Sequence, residues 1–319
     1  MSYTPPFKIT TKIIDLISKI SLNIGKLEAI DSTSTLPMLR KVNQIRTITG
    51  TLQIEGNTLD EERVTALIEG KRVLGKVDEI AEANGAIALY KYIEELNYKN
   101  EKELLKSHEI LMNELLKTAG TYRTSDVGVG DKDGVVHVAP PSGQIQKLMS
   151  DLFEWLSTTD EHPLIVSSVF HYEFEFIHPF IDGNGRIGRF WQSLILYNWN
   201  NYFSVISIES IIRDKQQEYY KVLEECGASG ESTLFIEFVL QSILEAIDKV
   251  GNKVGNLTDN QKRIVEQIQS NNKISASKLA GVVGISKRKI EENLSKLKEQ
   301  GILERVGGTR GYWNLLEVE

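Results

Sequence analysis

Seven prolines in 319 residues leave long stretches where nothing interrupts a helix, and there apolar residues return every three or four positions. This periodicity predicts a mainly α protein. Residues 7–32 are expected as a first helix with a stripe of Ile13, Ile14, Ile17, Ile20, Leu22 and Ile24. Pro37 opens a second, which runs through Leu39, Val42, Ile45 and Ile48 to about Ile54 and stops at Gly56. Asp60 or Thr58 can cap a third, from Val64 to Gly70. Further helices are expected over 76–97, 101–117, 144–157, 163–177, 185–200, 208–226 and 231–251, with Trp155, Trp191 and Trp199 at core positions. The exception lies between Gly120 and Gly143. There Gly128, Gly130, Gly134, Pro140 and Pro141 surround the β-prone run Val135, Val136, His137 and Val138. A two-stranded hairpin buries little by itself, so it is expected as a flap over a site.

Composition sets outer limits. With 41% hydrophobic and 25% charged residues, the chain is expected to be soluble and globular, in about two domains. The single Cys226 excludes an intramolecular disulfide and a cysteine-based zinc cluster, consistent with a reducing cytoplasm. The opening MSYTPPFKITTK lacks the apolar core of a signal peptide, and no run approaches the roughly 20 apolar residues of a membrane span. A cytoplasmic protein with no membrane partner is the expectation. Net charge is −7, which gives the whole chain no electrostatic reason to seek nucleic acid. After the glycine-rich joint at 251–256, however, residues 257–319 hold 11 Lys and Arg against 8 Asp and Glu. The basic part is the tail.

One segment carries chemistry: His178-Pro179-Phe180-Ile181-Asp182-Gly183-Asn184-Gly185-Arg186-Ile187-Gly188-Arg189. Gly183, Asn184 and Gly185 tolerate positive φ, so the backbone can curl with its N–H groups turned inward. An apolar helix follows, which places this nest at a helix N-terminus where an anion is favoured. Arg186 and Arg189, three apart, share one face of the first turn and suit the outer phosphates of a nucleoside triphosphate. Asp182 at the mouth is a hard oxygen ligand suited to Mg²⁺ bound to phosphate oxygens. His178, with an ordinary pKa near 6.5, can take a proton from an attacking hydroxyl.

The segment resembles the signature of the Fic family, His-x-Phe-x-Asp/Glu-Gly-Asn-Gly-Arg-x-x-Arg, at every defining position. The likeness extends over residues 102–200, including Gly120-Thr121-Tyr122-Arg123 and the Pro140-Pro141 pair. It implies an all-helical core with a hairpin flap and transfer of AMP from ATP to a Ser, Thr or Tyr hydroxyl of a target protein, the chain itself included. On this resemblance His178 is the general base and Asp182 holds Mg²⁺. The run Gly183, Asn184, Gly185, Arg186, Ile187, Gly188 and Arg189 binds the phosphates. The flap residues Val135, Val136, His137 and Val138 align the target, and Tyr219 lines the adenine pocket. The family's usual Asn two turns later is replaced by Gly227. The chain then divides into an N-terminal helical region (1–100), a Fic core (101–251) and a C-terminal module (257–319). A homo-oligomer is compatible with this reading.

Upstream, Thr51-Leu52-Gln53-Ile54-Glu55-Gly56-Asn57 resembles the family's inhibitory motif, Ser/Thr-x-x-x-Glu-Gly/Asn. The resemblance implies that Glu55 pairs with Arg189 and takes the place of the γ-phosphate, since a carboxylate and a triphosphate tail compete for one guanidinium fork. The same glutamate can instead support removal of AMP from a modified target, and the same site can transfer another phosphate-containing group.

In the tail, an amphipathic helix over 260–270, a second capped by Ser275, a turn at Gly284-Ile285-Ser286 and a third from Lys287 to Gln300 precede two short strands. This resembles a winged helix-turn-helix, with Lys287, Arg288 and Lys289 and the wing residue Arg310 as DNA contacts. Glu291, Glu292 and Glu299 dilute that charge, so protein docking stays open beside DNA binding. A DNA-binding regulator using its Fic core as a nucleotide sensor is the alternative to an enzyme. The intact His178 argues against it, because a sensor needs no base. Of the other histidines, His171 is expected to support the core or orient the loop, His137 to touch substrate, and His108 and His162 to be surface or packing residues.

Overall fold

The computed structural model of the chain describes residues 3–30, 36–131, 134–255, 258–299, 302–307 and 311–315. In order they form α1 (Thr11–Ile30), α2 (Leu36–Ile54), α3 (Glu61–Ile68), α4 (Val77–Tyr90) and α5 (Glu101–Met112). The hairpin β1 (Gly128–Asp131) and β2 (Gly134–Val138) follows, then α6 (Ile145–Thr158), α7 (Pro163–Ile177), α8 (Asn184–Trp199), α9 (Ile208–Asp214), α10 (Gln216–Ser229) and α11 (Thr233–Gly255). Last come α12 (Asp259–Ser270), α13 (Ala276–Val283), α14 (Lys287–Glu299), β3 (Leu303–Val306) and β4 (Tyr312–Leu315). The class is mainly α, as the periodicity predicts. Two compact units result: Met1–Ile24 with Asn43–Asp248, and Gly25–Val42 with Lys249–Glu319. The stretches 1–100 and 101–251 thus share the first unit, apart from residues 25–42 and 249–251.

Several expectations change: α4 stops at Tyr90 and α5 at Met112, short of 97 and 117, and α11 continues through the expected joint to Gly255. The buried stripe of α1 includes Ile13, Leu16, Ile20 and Ile24, whereas Ile14 and Leu22 are 56% and 60% exposed. At about 100° per residue, Ile14 stands a quarter-turn off the stripe that Ile13 starts, and Leu22 points away from Ile20. The single helix expected over 208–226 is two, broken at Lys215 (φ −112°, ψ 27°). The break lets α9 bury Ile208, Ile211 and Ile212 while α10 turns Tyr219 and Cys226 inward.

The first unit is built round α7. Pro163 occupies its first turn, and the His162 ring accepts from the Leu164 N–H at 3.2 Å, which caps it. Val166, Val169, Phe170 and Phe174 are all buried, as are Phe190, Trp191 and Leu194 of α8. Phe170 stacks near Trp191 (6.2 Å between ring centroids). Two helices this apolar can only be core elements, so the loop joining them is held from both sides. A close crossing sets α4 on α5: a methyl group at Gly85 would collide with the backbone carbonyl of Leu111. Backbone cannot swing aside as a side chain can. Gly85→Ala is therefore expected to destabilise the chain by about 2 kcal/mol or more, read as a lowered midpoint in thermal melting.

In the second unit, α12 begins with a capping box between Thr258 and Gln261, and Ser275 caps α13 by accepting from the Lys278 N–H. Gly284 ends α13 in the left-handed conformation, φ 76°. Ile264, Ile268, Leu279, Ile290, Leu294 and Leu297 form a separate small core. The β3–β4 hairpin is pinned to the α12–α13 turn: Trp313 donates from Nε1 to the Ile274 carbonyl (3.1 Å) and from its backbone N–H to that of Asn272 (2.7 Å). Three helices and a two-stranded wing on their own core make a winged helix-turn-helix. Arg310 lies outside the described residues. No helix among the described residues is long and apolar enough to cross a membrane.

Candidate active site

The loop between α7 and α8 turns on two left-handed residues. His178, at φ 50° and ψ 61°, ends α7, and its N–H still reaches the Phe174 carbonyl (2.9 Å). It is the one non-glycine residue with positive φ among those described. Gly183, at φ 84°, is the N-cap of α8. Asn184, the first residue of α8, clamps the turn between them: its Oδ1 accepts the Phe180 N–H and its Nδ2 donates to the Phe180 carbonyl, both at 2.9 Å. The Asn184 side chain, expected on a phosphate, is thus committed to shaping the loop. The first backbone N–H groups of α8 have no intrahelical acceptor, and such groups at a helix N-terminus favour an anion.

A carboxylate already stands there. Glu55 is the C-cap of α2, in a turn closed by the Gly56 N–H on the Gln53 carbonyl (3.0 Å) and the Asn57 N–H on that of Leu52 (3.1 Å). Gly56, at φ 88°, makes this six-to-one closure possible. Glu55 Oε1 accepts from Arg189 Nη2 at 2.6 Å, and a methyl group at Gly185 would collide with the same oxygen. The carboxylate therefore lies against the first turn of α8. Arg189, itself 1% exposed, also donates to Thr51 through Nε to Oγ1 (2.9 Å) and Nη2 to the carbonyl (3.1 Å). Burial works against its charge, but Glu55 more than compensates and holds the guanidinium firmly protonated. The end of α2 is fixed from the other side too, since Gln216 and Tyr220 both donate to the Ile54 carbonyl.

Asp182 stands at the mouth with its side chain 57% exposed, and its Oδ1 accepts from the Gly183 N–H and from Arg186 Nη2 (3.0 Å). Arg186 is enclosed, 3% exposed, between Asp182 and Glu82, whose Oε1 is 3.1 Å from its Nη1. The two signature arginines thus differ: one faces a carboxylate in the anion site, and the other braces the loop from beneath. His178 is half-buried, and its enclosed Nδ1 lacks a hydrogen-bond partner. Burial pulls its pKa below the ordinary value against the opposing Glu175 carboxylate, so the ring is a neutral imidazole at pH 7.

Three further residues, Arg123, His108 and His171, underpin this loop. Arg123, 3% exposed, donates to the carbonyls of His178 (2.8 Å), Ser125 (2.9 Å) and Pro140 (2.6 Å), which ties the base of the hairpin to the signature loop. His108 is buried, the packing position of the two expected for it, and it stacks on Phe180 at 3.6 Å. Its Nδ1 accepts the Gly120 N–H, so Nε2 carries the proton and donates to the Asp182 carbonyl, each at 2.9 Å. Burial lowers its pKa to about 4, which keeps that tautomer neutral. His171 is also buried, placed between Gln192 and the Tyr219 hydroxyl, the latter at 3.1 Å.

Tyr219 itself is 1% exposed, wedged against Phe235 and Phe238. In this packing it offers no face to a base; its neighbour Tyr220 is 45% exposed. Ile187 is core and Gly188 lies against His171, Phe174 and Glu175, so both pack α8 on α7. Burial pushes the Glu175 carboxyl up, but His171, His178 and Arg189 outweigh that and hold it below the ordinary range. The flap residues form β2, with His137 opposite Val129 and Val138 opposite Gly128. The side chains of Val135, Val136, His137 and Val138 lie outside the described part of the structure. Among the described residues no group of three or more His, Cys, Asp or Glu could hold a metal by itself.

A helical unit with one hairpin, whose signature loop joins its two most buried helices, is the architecture of the Fic/DOC class. The Fic/DOC family model matches residues 98–196, and a winged helix-turn-helix DNA-binding model matches 257–304. The crystal structure of a Fic family protein from Desulfovibrio desulfuricans G20 is 39% identical, with a TM-score of 0.77 over 99% of each chain. The chain belongs to the Fic family. A Fic domain containing signaling protein from Bacteroides thetaiotaomicron shares the fold at 18% identity and a TM-score of 0.63, over 78% of this chain and 98% of that one. Protein adenylyltransferase Fic of Nematostella vectensis is 29% identical over 252 residues, 73% of this chain and 55% of its own length. That of Aedes aegypti is 29% identical over 229 residues, 68% and 44% respectively. The chain spans about half the length of the curated relatives it matches.

Proposed function

We propose that the chain is a protein adenylyltransferase that restrains itself: it transfers AMP from ATP to a hydroxyl of a target protein, itself included, and Glu55 blocks the site until displaced. The observation that carries this reading is the Glu55 carboxylate against the N-terminal turn of α8, on Arg189, where a terminal phosphate is favoured for the same electrostatic reasons. His178 takes the proton of the attacking hydroxyl. Its oxygen forms the new ester bond to the α-phosphorus, and the bond to the β-phosphate oxygen breaks as pyrophosphate leaves with the electron pair. The N–H groups opening α8 steady the charge that develops on the α-phosphate. Arg189, once free of Glu55, holds the tail, and the flap at Val135–Val138 aligns the target by strand addition.

Mg²⁺ fits this site through Asp182, a half-exposed carboxylate with Oδ1 already oriented. One protein carboxylate plus phosphate oxygens and water suits that ion. When bound, it would neutralise phosphate charge. ATP labelled separately at the α- and γ-phosphate tests the reading: α-label should enter protein and γ-label should not. Entry of γ-label would mean phosphoryl transfer instead.

For the C-terminal module, DNA binding rests on the matched family and on Lys287, Arg288 and Lys289 at the start of α14. Lys287 and Arg288 are each offset by a glutamate one turn on, Glu291 at 3.6 Å and Glu292 at 3.1 Å. Binding would therefore be weak and steeply salt-dependent. Retention of the full chain on duplex DNA at low salt, lost as salt rises, is the supporting result.

A further inference from the structure

We infer that Glu82 is a positioning residue for Asp182, acting through Arg186, and that Asn57 fastens this linkage to the end of the helix that carries Glu55. The inference rests on the nucleotide-binding reading above. Four side chains from three segments form one continuous line. Asn57 Nδ2 donates to Glu82 Oε2 at 2.9 Å, Glu82 Oε1 lies 3.1 Å from Arg186 Nη1, and Arg186 Nη2 donates to Asp182 Oδ1 at 3.0 Å. Asn57 is also fixed on its other sides. It donates to the Glu79 carbonyl (3.0 Å), its Oδ1 accepts the Leu59 N–H (3.0 Å), and its own N–H closes the turn that holds Glu55.

The charges explain why Glu82 matters. Arg186 is buried and its fork faces two carboxylates: it donates to Asp182, its contact with Glu82 is an ion pair without a hydrogen bond, and neither Nε nor Nη1 has a hydrogen-bond partner. With Glu82 ionised, half the fork is spoken for, and Asp182 meets only one guanidinium nitrogen. Without that charge, the buried guanidinium has a single counter-ion left and closes on Asp182, the carboxylate a divalent cation needs. A fork-to-carboxylate pair and a cation cannot both take the same oxygens. Glu82 thereby holds Arg186 back and keeps Asp182 available. Because Asn57 braces Glu82, the turn bearing the brake and the acid at the mouth share one framework.

The test uses Glu55→Gly protein saturated with ADP, into which Mn²⁺ is titrated and free Mn²⁺ is read by electron paramagnetic resonance. Adding Glu82→Gln, which keeps the shape and removes the charge, should weaken Mn²⁺ binding by about tenfold. ADP affinity measured without metal should change by less than about twofold, since no nucleotide contact is lost. Asn57→Ala, which only loosens Glu82, should weaken Mn²⁺ by about threefold and carries the test if Glu82→Gln does not fold. Combined, the two should give less than the product of their effects. Unchanged Mn²⁺ binding in the variants, or an equal loss of metal-free ADP affinity, would overturn the role of Glu82 and leave the nucleotide site standing. Failure of ADP to bind the Glu55→Gly protein at all would overturn both.

Discussion

Glu55→Gly is expected to raise incorporation of AMP into the chain itself by roughly tenfold to a hundredfold. The substitution removes the carboxylate on Arg189 and empties the space against Gly185. A hydrogen bond to a charged group is worth about 1.5–3 kcal/mol, and each 1.4 kcal/mol is about a factor of ten, which sets that range. The fold should hold, because Glu55 is a C-cap residue whose backbone turn is closed by Gly56 and Asn57 rather than by its side chain. The measurement is label from α-labelled ATP retained on the chain, variant against parent at equal concentration. Equal incorporation would remove the inhibitory role. Higher loss of AMP from a pre-modified target in the parent than in the variant would assign Glu55 to removal instead.

His178→Ala in the Glu55→Gly background is expected to abolish that incorporation, a loss of at least about 10²–10⁴-fold for removal of a general base, with nucleotide still bound. His178→Asn is the companion variant, since asparagine tolerates the left-handed backbone this position adopts. Both should be inactive if the imidazole, rather than the turn, is what matters. The pH profile follows from the direction of the pKa. Burial lowers it, so the base is already neutral at pH 7 and the rate should be level upward from there. The fall comes only as pH drops below the ordinary value of about 6.5 and the imidazole takes up a proton. A rate that rises steadily between pH 7 and 9 would place the titrating base elsewhere.

Some of this site is legible in the sequence and some is not, for reasons that residues make plain. The loop at 178–189 can be read because its geometry needs residue types that announce themselves. Gly183 supplies positive φ, and an apolar helix on each side fixes where the loop must sit. Glu55 is readable for the same reason, since Gly56 marks where α2 ends. Arg123, His108 and Glu82 are not. Each acts on a partner far along the chain, 55 residues in the case of Arg123 and His178 and 74 for His108 and Asp182. A lone arginine after a tyrosine carries no mark of the carbonyls it will serve. Asn184 shows the reverse: its type was right for an anion site, but only packing reveals that both ends of its amide are held by Phe180. The displaced stripe of α1, with Leu16 in and Ile14 out, is an error of phase that one helical turn of tertiary contact settles.

On the proposed function, the Glu55 carboxylate and a nucleotide's phosphate tail exclude each other at Arg189. Calorimetric titration of ATP and of AMP into the parent chain and into Glu55→Gly, with His178→Ala present in both to prevent turnover, tests it most directly. ATP should bind the Glu55→Gly chain at least about tenfold more tightly than the parent, while AMP, which lacks the tail, should bind both alike. Equal ATP affinity for the two chains, or an equal gain for AMP, would rule out that competition at Arg189.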